Sequence, residues 1–350
     1  MPVALVDMDY FFAACEELRH PEFKGKPLVV GTANPKDRSR GVVQTCNYEA
    51  RSFGIHSGMA LSDVMKLCKD YNYVEADDAY YEDVSSQIMQ LLKSYGYPME
   101  QMSIDEAAID LDGISYEEAR SICSNMKLEI KNSIGLKCTI GISTTKTYAK
   151  MACDAAKPDG LLVVDNSSLM EFISDKPITK LPGIGPKTAA KLNAIGISKI
   201  GDIARANPSM LLGSFGSVGM EIYLMATGKD NSKVITKSEV LSIGRERTIA
   251  GGSASIMELE KQIKALASEV WKEVERQGYF FMGVSVKIRD MNFTEHIKNV
   301  KLSNYAGSEE AIERNALTLL HKAIRPGMRI RKIGVRVYEL MPKKGQKTLF

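Results

Sequence analysis

The sequence predicts an α+β, multidomain protein, and three features carry that expectation. Residues 3–164 alternate short strand-like runs with amphipathic helical stretches, residues 166–228 read as helices punctuated by glycine, and residues 241–340 return to strands interleaved with two helices. A chain of 350 residues also exceeds one ordinary hydrophobic core.

Val3-Ala4-Leu5-Val6 is an apolar run ending at Asp7, the pattern of a buried strand that delivers an acid at its C-terminal end. Phe11 to Leu18 is helical, Leu28-Val29-Val30 and Val42-Val43 read as short strands, and Ser62 to Cys68 carries apolar residues at helical spacing. Asp77 to Tyr95 sets Val84, Ile88, Leu91 and Leu92 on one stripe of a helix. Gln101 to Asp112 alternates like a strand, Tyr116 to Ile130 is helical, and Cys138 to Ile142 and Leu161 to Val164 are strands. Strand, helix, hairpin, helix, strand is the order of a ferredoxin-like sheet, here with residues 11–76 inserted after the first strand.

Past residue 166, Leu181-Pro182-Gly183-Ile184-Gly185-Pro186 and Gly213-Ser214-Phe215-Gly216 mark turns between helices, and Lys229 to Val240 is polar and patternless, as a linker would be. Strands are then expected at Ser242 to Ala250, Gly283 to Arg289, Glu295 to Leu302 and Arg331 to Leu340, with helices at Ser255 to Gln277 and Glu309 to Ile324. This is a small α+β domain of about a hundred residues.

Composition narrows the function classes. No apolar run approaches the roughly 20 residues that span a bilayer, and the N-terminus lacks the pattern of a secretory signal, so no membrane partner and a cytoplasmic location are expected. The six cysteines show no C-x-x-C pairing and read as free thiols, and four scattered histidines argue against a His-based metal site. Residues 1–228 hold 23 Lys+Arg against 29 Asp+Glu, whereas residues 229–350 hold 23 against 14. An acidic front half is thus joined to a basic back half, which suits a polyanion such as nucleic acid, or simply a solvated basic face.

Ser103-Ile104-Asp105-Glu106-Ala107 and Asp7-Met8-Asp9 are the segments most suggestive of chemistry. Hard cations take oxygen ligands, and acids gathered at strand ends suit phosphoryl transfer, although an adjacent acid pair taken alone reads as a solvated turn. Successive strand residues point to opposite faces, so both acids can serve one site only if the hairpin bends near Asp105. Glu106, Ala108 and Asp110 would then share a face, with Asp7 completing the cluster and Asp9 turned away.

Four ordered blocks resemble the Y-family translesion DNA polymerases, in the DinB-like branch. They are Asp7-Met8-Asp9-Tyr10-Phe11-Phe12-Ala13; Asn47-Tyr48-Glu49-Ala50-Arg51 with Gly54 and Gly58-Met59; Ser103 to Ala107; and Ala156-Lys157-Pro158-Asp159-Gly160. The resemblance implies a right-hand polymerase, with a ferredoxin-like palm at residues 1–10 and 77–165 and small fingers at 11–76. A helix-hairpin-helix thumb at 166–228, a linker at 229–240, a little finger at 241–341 and a clamp-binding tail at 342–350 would follow. It makes Asp7, Asp105 and Glu106, with the Met8 carbonyl, the ligands of two Mg²⁺ ions that Mn²⁺ can replace. Nucleotide contacts are implied for Phe11, Phe12, Thr45, Tyr48, Arg51 and Lys157, with Phe12 as the steric gate against ribonucleotides and small Thr45 and Cys46 flanking the nascent base pair.

For DNA, the resemblance implies contacts by Gly183, Gly185 and Lys187 in the thumb and by Arg245, Arg247, Lys287, Arg289, Arg331 and Arg336 in the little finger. The implied partners of a monomeric enzyme are primer-template DNA, a deoxynucleoside triphosphate (dNTP) and a sliding clamp reached through Gln346, Leu349 and Phe350. One departure is Ala108, where the family usually carries an aromatic. A template-independent palm enzyme such as a nucleotidyl cyclase, and a DNA-binding scaffold without catalysis, stay open as alternatives. The first predicts turnover of a lone nucleotide without DNA, and the second predicts salt-sensitive DNA binding without incorporation.

Overall fold

The computed structural model describes residues 2–34, 37–236, 239–325 and 327–343, and divides near residue 237 into two compact units. The clamp-type residues Gln346, Leu349 and Phe350 lie outside the described residues.

In the first unit, β1 (Val3–Met8) is buried along its whole length, as its unbroken apolar run requires. Tyr10, in a left-handed conformation, turns the chain into α1 (Phe11–Arg19). The inserted segment then builds a separate three-stranded sheet from β2 (Leu28–Asn34), β3 (Asp37–Cys46) and β4 (Asn72–Glu75), with α2 (Tyr48–Ser52) and α3 (Leu61–Leu67) packed on it. The polar sequence of β4 hides it, yet its backbone pairs parallel to β2.

The chain returns through α4 (Asp78–Ser94), capped by the Asp77 carboxylate on Tyr80 N, to the hairpin of β5 (Met99–Gln101) and β6 (Glu106–Asp110). There follow α5 (Tyr116–Ile134), β7 (Cys138–Ser143), α6 (Lys146–Ala156) and β8 (Leu161–Val163). The strand order is β5-β6-β1-β7-β8. The first four strands are antiparallel, which is the ferredoxin-like arrangement, and β8 adds in parallel beside β7. Ala4, Val6, Ala107 and Ile140 face the core shared with α1, α4 and α5, whereas Leu5 and Val3 face Ala149 and Cys153 of α6. Sequence reading did not foresee α6, because small residues such as Ala149 and Ala152 make up much of its buried face and leave only a faint stripe.

The helical segment comprises α7 (Leu169–Ser174), α8 (Pro186–Asn193), α9 (Ile200–Arg205), α10 (Pro208–Phe215) and α11 (Ser217–Ala226), around Ile173, Leu181, Leu192, Ile203 and Leu211. Residues 229–236, expected as free linker, form no regular element but are tied back to the sheet. Thr145 donates to Asp230 at 2.6 Å, and Ile235 N donates to Glu100 at 2.6 Å.

The second unit contains β9 (Ser242–Ser253), α12 (Ile256–Arg276), β10 (Tyr279–Asp290), β11 (Glu295–Ala306), α13 (Glu309–Ala323) and β12 (Ile330–Pro342). Its antiparallel sheet, ordered β11-β10-β12-β9, packs Val284, Val286, Ile333 and Val335 against Leu259, Ile263 and Leu320 of the two helices. Among the described residues, no helix of either unit is long and apolar enough to cross a membrane. All six cysteines are buried and free.

Gly141 explains how α6 comes so near the sheet: a Cβ there would overlap the Ala149 carbonyl oxygen and the Cys153 nitrogen, both of the α6 backbone. Gly141→Ala is therefore expected to cost at least about 1–3 kcal/mol in a urea melt, because backbone cannot yield as a side chain does. Gly213→Ala, inside α10 with nothing near its Cβ, serves as the control and should be neutral or stabilising by up to about 1 kcal/mol.

Candidate active site

Antiparallel pairing sets Asp7 of β1 opposite Glu106 of β6 on one side and Thr139 of β7 on the other. Because side chains alternate, Asp7 shares the face of Leu5, the face covered by α6. That helix presents Lys150, whose Nζ lies 2.7 Å from Asp7 Oδ2, also meets Glu106 Oε1, and is 3.4 Å from Asp154. Two turns later Lys157, the C-cap of α6, places Nζ 2.7 Å from Asp7 Oδ1. The following proline cannot continue the helix, so α6 ends there.

Asp105 sits in the bend between β5 and β6, where the shared use of adjacent acids requires it. The bend is held by Ser103, whose hydroxyl accepts from Asp105 N at 3.2 Å and donates to the Asp105 carboxylate at 2.6 Å. Ser85 of α4 ties down the same bend by donating to Ile104 O at 2.5 Å. Met8 N donates to Asp105 O at 3.0 Å, which fixes the hairpin against β1. Asp9 faces elsewhere: it accepts from Thr139 at 2.9 Å, from Asp159 N at 2.7 Å and from Tyr48 at 3.4 Å.

These groups open onto a cleft of about 460 Å³ lined by Asp7, Met8, Phe11, Phe12, Thr45, Arg51, Asp105, Glu106, Lys150 and Lys157. Its second wall comes from the inserted lobe, and Asn47 secures it. This buried amide accepts from Leu28 N and Ala50 N, each at 3.0 Å, and donates to Glu17 at 2.9 Å and Lys26 O at 2.8 Å. Its hydrogen-bonding capacity is full, and α2 is thereby capped on a fixed base. Arg51 follows on α2, its Nε donating to Cys46 O at 3.1 Å. Tyr48 lies edge-on to Tyr10, with its phenol pushed up to about 12 by burial and by Asp9. Phe11 is almost wholly buried in the sheet core, whereas Phe12 is half-buried at the cleft. Cys46, expected beside the cleft, instead points into the small lobe, where its thiol donates to Ile55 O.

The two facing carboxylates cannot both carry charge cheaply. Burial, then Asp7 beside it, pushes Glu106 up to about 7, with Lys150 pulling the other way. Burial acts to raise Asp7 as well, but hydrogen bonding with Glu106 and the ammonium groups of Lys150 and Lys157 hold it below the usual carboxylate range. Lys150 keeps its proton more firmly than an ordinary lysine, because Asp7 and Glu106 outweigh its burial. Among the described residues no three acidic, histidine or cysteine side chains converge as a ready ligand set. The donors nevertheless fit a hard divalent cation: they are oxygens, and the Lys150 ammonium bridges two of them as a stand-in cation.

Gly183, at φ 87°, and Gly185, the N-cap of α8, shape the turn before that helix, with Lys187 exposed on its first turn. In the second unit the six basic residues expected to contact DNA do not share one face of the sheet. Arg245 and Arg247 lean towards α12, where they meet Glu273 at 3.6 Å and Glu269, because odd-numbered residues of β9 share the face of buried Ile243 and Ile249. Lys287, Arg289 and Arg336 occupy the opposite, open face, and Arg331 lies over the Phe293 ring at 4.7 Å. Even there Lys287 is shared between Glu246 at 3.2 Å and Glu295 at 3.1 Å.

Three segments match family models: residues 6–154 the impB/mucB/samB family, 166–197 the helix-hairpin-helix (HHH) motif of that family, and 240–349 its C-terminal domain. The chain belongs to the impB/mucB/samB family, the DinB-like Y-family polymerases. A DNA polymerase IV of Methanoculleus marisnigri is 36% identical over 95% of this chain and 92% of its own length, and DNA polymerase IV 1 of Methanosarcina mazei is 36% identical over 99% and 97%. Among solved structures, a Y-family DNA polymerase chimera, Dbh-Dpo4(243-245)-Dbh, superposes with a TM-score of 0.90 at 30% identity, covering 98% of this chain and 100% of its own. DinB from Sulfolobus solfataricus gives 0.68 at 30% identity, covering 97% and 98%. In the terms of this polymerase family the five-stranded sheet is the palm, the small lobe the fingers, the helical segment the thumb and the second unit the little finger.

Sequence reading missed Lys150, although its spacing of seven from Lys157 puts both on one helical face and was a usable signal. Replacing Lys150 by Met removes the ammonium that bridges Asp7 and Glu106, leaving Glu106 to face Asp7 with the Lys157 ammonium on the far oxygen of Asp7. The variant is expected to lose about 1–3 kcal/mol in EDTA and to recover much of it in millimolar Mg²⁺. Thermal melts with and without Mg²⁺ check this, the parent protein responding less to the ion.

Proposed function

We infer that the protein is a template-directed DNA polymerase of low fidelity that adds deoxynucleotides to a primer 3′ end and reads past damaged template bases. The observation that carries this reading is the cleft in which Asp7, Asp105 and Glu106 of the palm face Phe12, Thr45 and Arg51 across a space open to solvent. The full-length likeness to DNA polymerases IV and to Y-family structures supports it, including one solved as an insertion ternary complex.

Two Mg²⁺ ions, for which Mn²⁺ can substitute, would bind Asp7, Asp105, Glu106 and the Met8 carbonyl, and would supply activation of the primer hydroxyl and stabilisation of the leaving pyrophosphate. The chain's own residues do the rest. Arg51 and Lys157 place fixed cations where triphosphate oxygens gather charge, and Tyr48 adds a phenol donor on turning from Asp9. Lys157 first exchanges Asp7 for the phosphate. Phe12 fills the space a ribose 2′-hydroxyl needs, and Phe11 steadies it from the core side, with centroids 5.7 Å apart. Thr45 is a small residue over the nascent pair, leaving room for a distorted template. Ala108 pairs with Leu5 beneath the acids and is fully buried, a small side chain on the face that α6 covers.

Gly183 and Gly185 let backbone N–H groups approach a DNA phosphate, with Lys187 beside them. Lys287, Arg289, Arg331 and Arg336 track phosphates on the little finger. Arg245 and Arg247 contribute only by leaving their α12 partners. The tail residues Gln346, Leu349 and Phe350 would dock a monomer on a sliding clamp.

Primer extension tests the reading. Asp105→Ala and Glu106→Ala should each slow incorporation roughly 10³-fold, the loss of several kcal/mol of charge stabilisation at about 1.4 kcal/mol per decade. Undiminished synthesis by either folded variant rules out the assignment.

A further inference from the structure

We propose that Tyr81 and Glu16 are positioning residues that hold the Phe12 ring in place and thereby set how strongly the enzyme discriminates against ribonucleotides. The inference rests on the reading of Phe12 as the sugar gate. Phe12 lines the cleft, but a single aromatic ring half open to solvent excludes a hydroxyl by bulk only while something fixes its plane. That support is present. The Phe12 ring is stacked on Tyr81 of α4, with centroids 4.3 Å apart and planes 12° from parallel. Tyr81 is fully buried and does not line the cleft, so it backs the gate from within the palm.

Tyr81 is itself anchored. Its hydroxyl donates to Glu16 Oε1 at 2.7 Å, and Glu16 is 1% exposed. Burial, and then the bond to Glu16, raises the Tyr81 phenol above its ordinary value, so it stays a donor. A carboxylate buried this deeply is costly without good partners, and Arg19 and His20 approach it only to 3.9 Å. The Tyr81 hydroxyl is its one close partner among the described residues, so neither group can be lost without leaving the other unsatisfied.

Phe12, Glu16 and Arg19 stand at helical spacing on α1, and each meets the first turn or two of α4. Phe12 and Glu16 meet Tyr81, while Arg19 bonds Asp77 at 2.9 Å and covers the Tyr80 ring at 3.5 Å. One turn beyond Tyr81, Ser85 grips the bend that carries Asp105. The same helix thus fixes the sugar gate and the acid hairpin relative to each other, although neither Tyr81 nor Glu16 belongs to the cleft.

The test compares kcat/KM for a ribonucleotide and for the matching deoxynucleotide in Phe12→Ala, Tyr81→Leu, Tyr81→Phe, Glu16→Gln and the Phe12→Ala/Tyr81→Leu double variant, with a thermal melt of each. Tyr81→Leu should lower sugar discrimination by roughly tenfold or more, the range a small change in a fitted pocket produces, while deoxynucleotide incorporation stays within a few-fold of the parent. Tyr81→Phe, which keeps the stacking ring but loses the anchor, should lose less. Glu16→Gln, which still accepts from the phenol, should lie near the parent. The double variant should discriminate no worse than Phe12→Ala alone, since Tyr81 acts through that ring.

If Phe12→Ala loses discrimination while Tyr81→Leu keeps it, or if the two losses add, the positioning role is wrong and the gate reading survives. If Phe12→Ala itself changes nothing, the gate reading fails and takes this inference with it. Should Tyr81→Leu not fold, Tyr81→Phe decides: unchanged discrimination there, with Phe12→Ala impaired, overturns the anchoring.

Discussion

The register of β1 between β6 and β7 is the constraint on which the site depends. Pairing Asp7 with Glu106 and with Thr139 brings acids a hundred residues apart in sequence side by side, and a slip of one residue would turn Asp7 towards the helical core. That register is enforced by burial on both faces: Val6 and Ala4 meet α4 and α5, and Leu5 meets α6. The glycine at 141 then sets how close α6 comes, and with it where Lys150 and Lys157 stand.

Electrostatics and packing meet at this point. Gathering Asp7 and Glu106 in a half-desolvated cleft costs free energy that positive charge offsets, and α6 supplies it from two lysines two turns apart on one face. On the proposed reading, a divalent cation takes the place of the Lys150 ammonium between these carboxylates. The opposite wall is fixed by different means. Asn47 uses its full hydrogen-bonding capacity to seat α2, and α4 clamps both α1 and the Asp105 bend, so that the cleft is bounded by elements tied to one another through buried contacts.

Much of this was legible in the sequence wherever a residue type carried its own physics. The unbroken apolar run before Asp7 announced a buried strand, and side-chain alternation meant that Asp105 and Glu106 could serve one site only with a bend near Asp105. What escaped was whatever depends on a partner distant in the chain. The strand Asn72–Glu75 is polar and exists because β2 offers it an edge, and α6 is marked by small residues whose meaning lies in Gly141. The basic residues of β9, β10 and β12 were expected alike to contact DNA, yet strand parity sends Arg245 and Arg247 to the helix side and Lys287 and Arg336 to the open side. Resemblance singled out Lys157, but the partner that shares Asp7 with it, Lys150, was marked only by its spacing of seven on a helix that the sequence pattern did not reveal.

The central claim is that Lys150 stands where a catalytic cation binds between Asp7 and Glu106. Anomalous diffraction from crystals grown with primer-template DNA, a non-hydrolysable deoxynucleotide and Mn²⁺ tests it most directly. The account predicts a manganese peak bonded to both carboxylates with the Lys150 ammonium displaced from between them. A peak elsewhere in the cleft, with Lys150 still bridging Asp7 and Glu106, would contradict it.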